Sequence, residues 1–118
     1  MQMITGEYHE TIEDGALSIP DPWLKTRLWT KPCCRPLKCE GRALVITPEG
    51  GHGDALLVEN GKLKLNDALQ IYLGTKNVVL VGAGKTAELW PAEMWEARRR
   101  DRVELAENAL DSLLCGFF

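Results

Sequence analysis

A length of 118 residues limits the chain to one domain with a single hydrophobic core. No apolar stretch approaches a membrane span, and the first residues are polar and acidic rather than those of a signal peptide. The sequence therefore predicts a cytoplasmic protein without a membrane partner. A formal net charge of −3 argues against nucleic-acid binding over the whole surface but leaves room for a local basic patch.

The first elements of the chain are predicted to be two strands and a short helix. Alternation over 1–12 indicates an edge strand, which we expect to pair with a second strand over 16–19 across the turn Glu13-Asp14-Gly15. Asp21 is placed to cap a short helix with Pro22 at its first position, where the missing N–H costs nothing.

Residues 30–41 combine prolines, cysteines and basic residues without periodicity, which predicts an irregular surface connection. Two glycine-rich segments follow in the chain, at 49–54 and 82–85. The first lies between predicted strands over 43–47 and 55–58, and the second precedes a strand rather than a helix. Neither has the setting of a phosphate-binding loop, so both are interpreted as hairpin turns.

Candidates for metal binding and catalysis are few. The residues that could serve a zinc ion are Cys33, Cys34, Cys39, His52 and Cys115. Their spacing matches no standard zinc motif, and the cysteines of a cytosolic protein are expected to stay reduced. His9 and His52 have no nucleophile at motif spacing. We therefore expect no metal, cofactor or small-molecule substrate, and no enzymatic activity.

The segment 59–90 is predicted to form a turn, a strand, one helix, a second strand, a turn and a third strand. Asn60-Gly61 is a tight-turn signal because both residues tolerate positive φ, and the alternation over 62–65 turns Leu65 inward. Asp67 is placed to cap a helix over 68–73 that Gly74 ends. The apolar run 77–81 then returns through a glycine turn as a strand over 86–90.

An internal repeat connects this unit with the start of the chain. A shift of 46 positions superimposes 13–21 on 59–67. The segments that follow are expected to correspond as well, 23–29 with the short helix 68–73 and 42–47 with the strand 78–81. We interpret the chain as one small unit used twice, whose copies bury their apolar faces against each other. The fold class is then mainly β with short helices (α+β). Chance similarity of two amphipathic segments is the alternative.

After Pro91 the sequence predicts one long C-terminal helix over 92–114, with apolar residues at helical spacing. Arg98, Arg99, Arg100 and Arg102 form the densest positive cluster, which is either a solvated helix face or a phosphate contact. The apolar end of the chain, 113–118, indicates packing on another subunit, so a homo-oligomer is expected.

Five segments together carry a resemblance to a known family, and they are 6–12, 17–20, 77–82, 88–90 and 95–96. They resemble the MraZ family, bacterial regulators of the division and cell-wall gene cluster that are built from two AbrB-like halves. The resemblance covers roughly 4–97 and implies a double-split β-barrel of two pseudo-symmetric halves, 4–58 and 59–91, in one shortened, diverged domain. It also implies ring-shaped homo-oligomers, sequence-specific binding to DNA repeats in a promoter, and a nucleoid-associated location.

Members of that family carry an Asp-x-x-Gly-Arg-type turn in each half, and its arginine is expected to meet DNA. In this chain the second turn has Lys62 at that place, followed by Lys64, and the first turn has Ala16. The resemblance therefore implies Lys62 and Lys64 as DNA-binding residues. Lysine neutralises a phosphate but lacks the planar fork that reads guanine, so base readout should be weakened.

Two functional hypotheses remain. The first is a DNA-binding transcriptional regulator in which Lys62 and Lys64 from several subunits form a positive rim. The second is an oligomeric protein-interaction or scaffold module that kept the barrel and lost the DNA contact; Ala16 and the acidic balance favour it. We adopt the first as the working hypothesis because of the lysines and the family resemblance.

Overall fold

The computed structural model describes residues 3–37 and 41–100, which form two antiparallel sheets and short helices. The strands are β1 Glu7–Thr11, β2 Ala16–Ser18, β3 Cys33–Pro36, β4 Leu44–Thr47, β5 Asp54–Ala55, β6 Leu57–Glu59, β7 Lys62–Lys64, β8 Asn77–Gly82 and β9 Ala87–Pro91. The helices are α1 Asp21–Leu24 and α2 Asp67–Leu73. Residues 92–100 are also helical, and we call this segment α3. The prediction of a mainly β chain with short helices is confirmed.

One sheet has six strands in the order β1-β8-β9-β4-β3-β5, and the other has three in the order β2-β7-β6. The predicted pairing of the first strand with 16–19 is wrong. β1 pairs with β8, with Tyr8 opposite Leu80, while β2 pairs with β7 and only Glu13 and Ala16 form a bridge across the first turn. β8 is an apolar strand inside the sheet, so its backbone groups need a partner strand on each side, and β1 supplies one.

The strands of the six-stranded sheet are arranged symmetrically about its centre. β1 and β5 are its edges, β8 and β3 lie next to them, and β9 and β4 are paired at the centre. In the smaller sheet, β2 pairs with β7, which is the strand that the 46-residue shift superimposes on it. The expected match of 42–47 with 78–81 relates β4 to β8. By position in the sheet, however, β3 rather than β4 corresponds to β8, since each lies next to an edge strand.

The prediction of an irregular surface connection over 30–41 is wrong for the part that forms β3. Cys33 and Cys34 are buried there, because β3 lies between β4 and β5 and pairs with both. The glycine-rich segment 49–54 is consequently not a hairpin tip, since β5 pairs with β3 and not with β4. Gly53 has φ of 137°, and a Cβ there would collide with the Cys34 carbonyl. The segment that leads from β4 to β5 therefore requires glycine where it passes close to β3.

Both short helices begin one residue earlier than predicted. Asn66, not Asp67, is the N-cap of α2, where its Oδ1 accepts from the Leu69 N–H at 2.8 Å. Pro20 takes the N-cap position of α1, which has no side-chain cap, so Asp21 is a first-turn residue. Gly74 ends α2 with φ of 72°, as predicted.

One hydrophobic cluster takes side chains from both sheets and both short helices. Its largest fully buried members include Trp23, Leu17, Leu63 and Leu73, and Leu65 points inward as predicted. None of the described helices is long and apolar enough to cross a membrane. The predicted helix over 92–114 is described only as far as residue 100, and its remainder, with the apolar end of the chain, lies outside the described residues.

Candidate nucleic-acid interface

Lys62 and Lys64 are exposed on β7, on either side of the fully buried Leu63. Side chains alternate between the two faces of a strand, so the burial of Leu63 turns both lysines to the opposite, outer face of the three-stranded sheet. The turn that leads into β7 is held by Asn60 and Gly61, with φ of 53° and 72°. A two-residue turn with both φ positive fits the twist of a β-hairpin and fixes its register.

That register places defined neighbours beside each lysine. Lys62 lies between Ser18 on β2 and Glu59 on β6. Lys64 lies between Ala16 on β2 and Leu57 on β6. Side chains directly opposite each other in antiparallel strands have Cβ atoms about 5 Å apart, so these rows form one continuous outer face.

The first turn repeats the geometry of the second. Asp14 and Gly15 have φ of 52° and 73°, close to the values of Asn60 and Gly61. The Gly15 carbonyl accepts from the Leu65 N–H at 2.8 Å, and the Gly61 carbonyl accepts from the Ile19 N–H at 3.0 Å. Each turn is therefore tied to the residue that follows the paired strand, and the two turns frame the outer face at opposite ends.

The outer face between the turns is a concavity of about 290 Å³ that contains more acidic than basic groups. Its lining residues are Glu13, Asp14, Ala16, Glu59, Asn60, Lys62 and Lys64. Lys64 Nζ lies 3.5 Å from Glu59 Oε2, and both side chains are about half exposed. With three carboxylates and two ammonium groups, the concavity has a formal charge of −1 in one subunit. Sequence reasoning missed these acids as part of the site, although an acidic residue precedes the turn in both repeat copies.

The arginine cluster is partly engaged in holding α3 against the six-stranded sheet. The Arg98 guanidinium lies 5.1 Å from the centre of the Trp90 ring, and Arg99 Nη1 lies 3.8 Å from Glu7 Oε2. Trp95 also donates through Nε1 to Glu7 Oε1. Arg100 is exposed and Arg102 lies outside the described residues. None of the described arginines lines the concavity with Lys62 and Lys64.

The buried cysteines have no nucleophilic setting. Burial, together with smaller effects of the nearby Asp54 and Cys33 in the same direction, raises the pKa of Cys34 to about 11, so its thiol stays protonated at neutral pH. The Cys33 thiol points to the His52 carbonyl at 3.8 Å. Within 3–37 and 41–100, no group of three or more histidine, cysteine or acidic residues could hold a metal ion; Cys39 and Cys115 lie outside those ranges.

Comparison with known proteins gives two relatives, and no family model matches the chain. Over 102 residues, 85% of the chain, it is 34% identical to a Halorhodospira halophila protein named "Transcriptional regulator MraZ". A Thiobacillus denitrificans protein of the same name is 48% identical over 42 residues, which are 36% of the chain and 28% of that protein. The chain spans 57% of the length of the first relative. Both names describe transcriptional regulators rather than enzymes.

Proposed function

The chain belongs to the MraZ family, and from this premise we propose that it is a sequence-specific DNA-binding transcriptional regulator that contacts phosphates through Lys62 and Lys64. The names of its relatives support a regulatory role at the level of the family. The observation that carries the proposal is the pair of exposed lysines on one face of β7, next to a turn whose geometry is repeated at Asp14-Gly15.

The spacing of the two lysines suits a charged polymer. Residues two apart in an antiparallel strand are separated by about 6.8 Å. A DNA duplex carries one negative charge per about 1.7 Å of helix axis, so two cations this close together can both meet phosphates of the same duplex. Lys62 and Lys64 can then neutralise phosphates and contribute only weakly to base readout, as expected for lysine in the place of an arginine.

Useful affinity requires several subunits, because one concavity has a formal charge of −1. We propose a ring-like homo-oligomer that presents Lys62 and Lys64 repeatedly to repeats in a promoter. Linked weak contacts then act at high effective concentration. The proposal includes a double-split barrel with halves over 4–58 and 59–91, and a cytoplasmic, nucleoid-associated location.

The electrostatics of the same face support a second candidate function. Glu13, Asp14 and Glu59 outnumber the lysines, and Ala16 brings no cation to the first turn. A protein-interaction or scaffold module that kept the fold and lost the DNA contact would have such a face. Loss of the two lysines would then cause no change in a DNA-binding measurement.

The discriminating experiment removes both lysines and keeps the sheet. A Lys62→Ala/Lys64→Ala variant changes two exposed side chains, each at a folding cost within about 0.5 kcal/mol. The matched control is Lys76→Ala/Lys85→Ala, which removes two exposed lysines from elsewhere on the surface. Binding to DNA from upstream of the protein's own gene is measured by fluorescence anisotropy at low salt, with circular dichroism and light scattering to monitor folding and assembly.

The regulator proposal expects the control to bind as wild type and the first variant to lose binding while folded and assembled. Binding should also weaken steeply with salt, because phosphate contacts release counterions. If the wild type binds no DNA at low salt, or if loss of Lys62 and Lys64 leaves binding unchanged, the scaffold function replaces the regulator.

A further inference from the structure

Among the three acidic residues of the concavity, Glu59 lies nearest in the sheet to both lysines. It lies directly opposite Lys62 in the pairing of β6 with β7, and its Oε2 is 3.5 Å from Nζ of Lys64 on the diagonal. The two-residue turn Asn60-Gly61 fixes this arrangement, because the register of the hairpin allows Glu59 no other strand partner on that side. One carboxylate therefore contacts Lys64 and belongs to the residue paired with Lys62, the two cations that the proposed function needs.

We infer that Glu59 sets the DNA affinity of each subunit by competing with phosphate for Lys64 and by placing a negative charge at the contact face. The inference rests on the proposed DNA-binding function and concerns the regulation of that same site. A low affinity per subunit makes binding depend on several subunits that engage together. Glu59 thereby favours clustered repeats over isolated or random duplex, where only one or two subunits can make contact.

The competition follows from the exposure of the pair. Both side chains are about half exposed, so water and salt weaken the ion pair without abolishing it. A phosphate that approaches Lys64 must displace the carboxylate or share the ammonium with it. The remaining negative charge also repels the DNA backbone at a distance shorter than the ~8 Å screening length at physiological ionic strength.

The other two acids of the concavity stand in a different relation to the lysines. Glu13 belongs to the first turn and is bridged to Ala16, so one strand position separates it from Lys64. Asp14 is a central residue of that turn, with φ of 52°, and its place in the repeat is taken by the uncharged Asn60. Both add to the negative field, whereas Glu59 contacts a lysine directly.

The test replaces the carboxylate by an amide of the same shape. Glu59→Gln removes the charge and keeps the side-chain length, and the exposed position on β6 makes its effect on folding small. Glu49→Gln is the matched control, since it makes the same change in net charge at an exposed residue that does not line the concavity. Affinities of the full chain are measured for its own upstream DNA and for a scrambled duplex of equal length, over a series of salt concentrations.

Glu59→Gln should bind the scrambled duplex about 1.5- to 5-fold more tightly for each subunit in contact, the range expected on release of an exposed ion pair. The slope of log affinity against log salt should steepen by roughly 0.9 for each lysine freed. The ratio of affinities for upstream over scrambled DNA should fall, and Glu49→Gln should change none of these quantities. In a Lys64→Gln background the gain from Glu59→Gln should shrink, because the released cation is absent.

The outcomes separate this inference from the function on which it rests. Wild-type binding that Glu59→Gln leaves unchanged or weakens would overturn the inference and leave the regulator intact. An equal gain from Glu49→Gln would assign the effect to net charge and likewise overturn it. Absence of binding by both wild type and Glu59→Gln, with both folded, would overturn the proposed function itself. Binding by Glu59→Gln alone would overturn the proposed function of the wild type and would identify Glu59 as the residue that suppresses the contact.

Discussion

Leu17 and Leu63 lie directly opposite each other in the pairing of β2 with β7, and they occupy the same position in the two copies of the repeated segment. Both are fully buried in the hydrophobic cluster. The hydrogen bonds on either side are reciprocal, from Leu65 to Gly15 and from Ile19 to Gly61. The two copies therefore meet through their own equivalent residues, and this contact holds the lysine-bearing strand in place.

Truncation at this contact should destabilise the whole fold. Leu63→Ala removes a fully buried side chain and leaves a cavity opposite Leu17, which should lower the free energy of unfolding by about 2–5 kcal/mol. Lys85→Ala is the control, because Lys85 is exposed in the turn between β8 and β9 and its replacement should change stability by no more than about 0.5 kcal/mol. Urea unfolding measures both. Similar effects of the two changes would contradict the central position of Leu63.

A cation introduced into the first turn should strengthen DNA binding. Ala16 lies directly opposite Lys64, so Ala16→Arg adds a third positive group to the face and brings its formal charge to zero. We expect tighter binding at low salt and a salt dependence steeper by roughly 0.9 per arginine engaged. Anisotropy titrations measure both quantities. Ala83→Arg, in the exposed turn between β8 and β9, adds the same charge elsewhere, and an equal gain there would contradict a local effect.

Stability should decline at alkaline pH through Cys34. Its pKa is raised from 9.0 to about 11 in the folded state, so the unfolded chain loses the thiol proton first as pH rises. The unfolded state then binds fewer protons than the folded one, and the free energy of unfolding should fall between about pH 9 and 11 and be unaffected by this group below pH 9. Chemical denaturation across that range, compared with Cys34→Ala, isolates the contribution. An identical slope in the variant would assign the alkaline loss to other groups.

The chain should assemble in solution. Among the described residues, Met3, Leu57 and Ile71 are large apolar side chains that are 53%, 60% and 79% exposed. Burial of such groups between subunits is favourable. Light scattering at micromolar concentration should give a multiple of the 13.2 kDa chain mass. A species of 13.2 kDa alone would contradict both the homo-oligomer and the multivalent mode of DNA binding.

Local signals predicted the elements whose geometry depends on neighbouring residues. The Asn60-Gly61 turn, the end of α2 at Gly74 and the hairpin of β8 with β9 all follow from residues close in sequence. The partner of β1 does not, because alternation shows which face of a strand is buried but not which distant strand it joins. β3 was missed because it is four residues long, contains Pro36 and has few of the residue types enriched in strands.

The candidate site was only partly accessible from sequence. Alternation around Leu63 indicated that Lys62 and Lys64 share a face, and the structure places both there. The acidic side of that face depends on which strands flank β7. β6 follows from the tight turn, so the position of Glu59 opposite Lys62 could have been read from the sequence. β2 comes from a segment about 46 residues earlier, and only the assembled sheet shows that Glu13 and Asp14 border the same concavity.

The crosswise pairing of the two copies has a consequence for how the chain can diversify. β1 pairs with β8, and β2 pairs with β7. A polypeptide with only one copy would therefore have to pair with the corresponding strands of a second molecule. Two identical molecules joined in this way would carry identical turns, and any substitution would appear twice. Within one chain the two turns can differ in sequence. Of the paired strands β2 and β7, only β7 carries lysines, an asymmetry that two identical turns could not have.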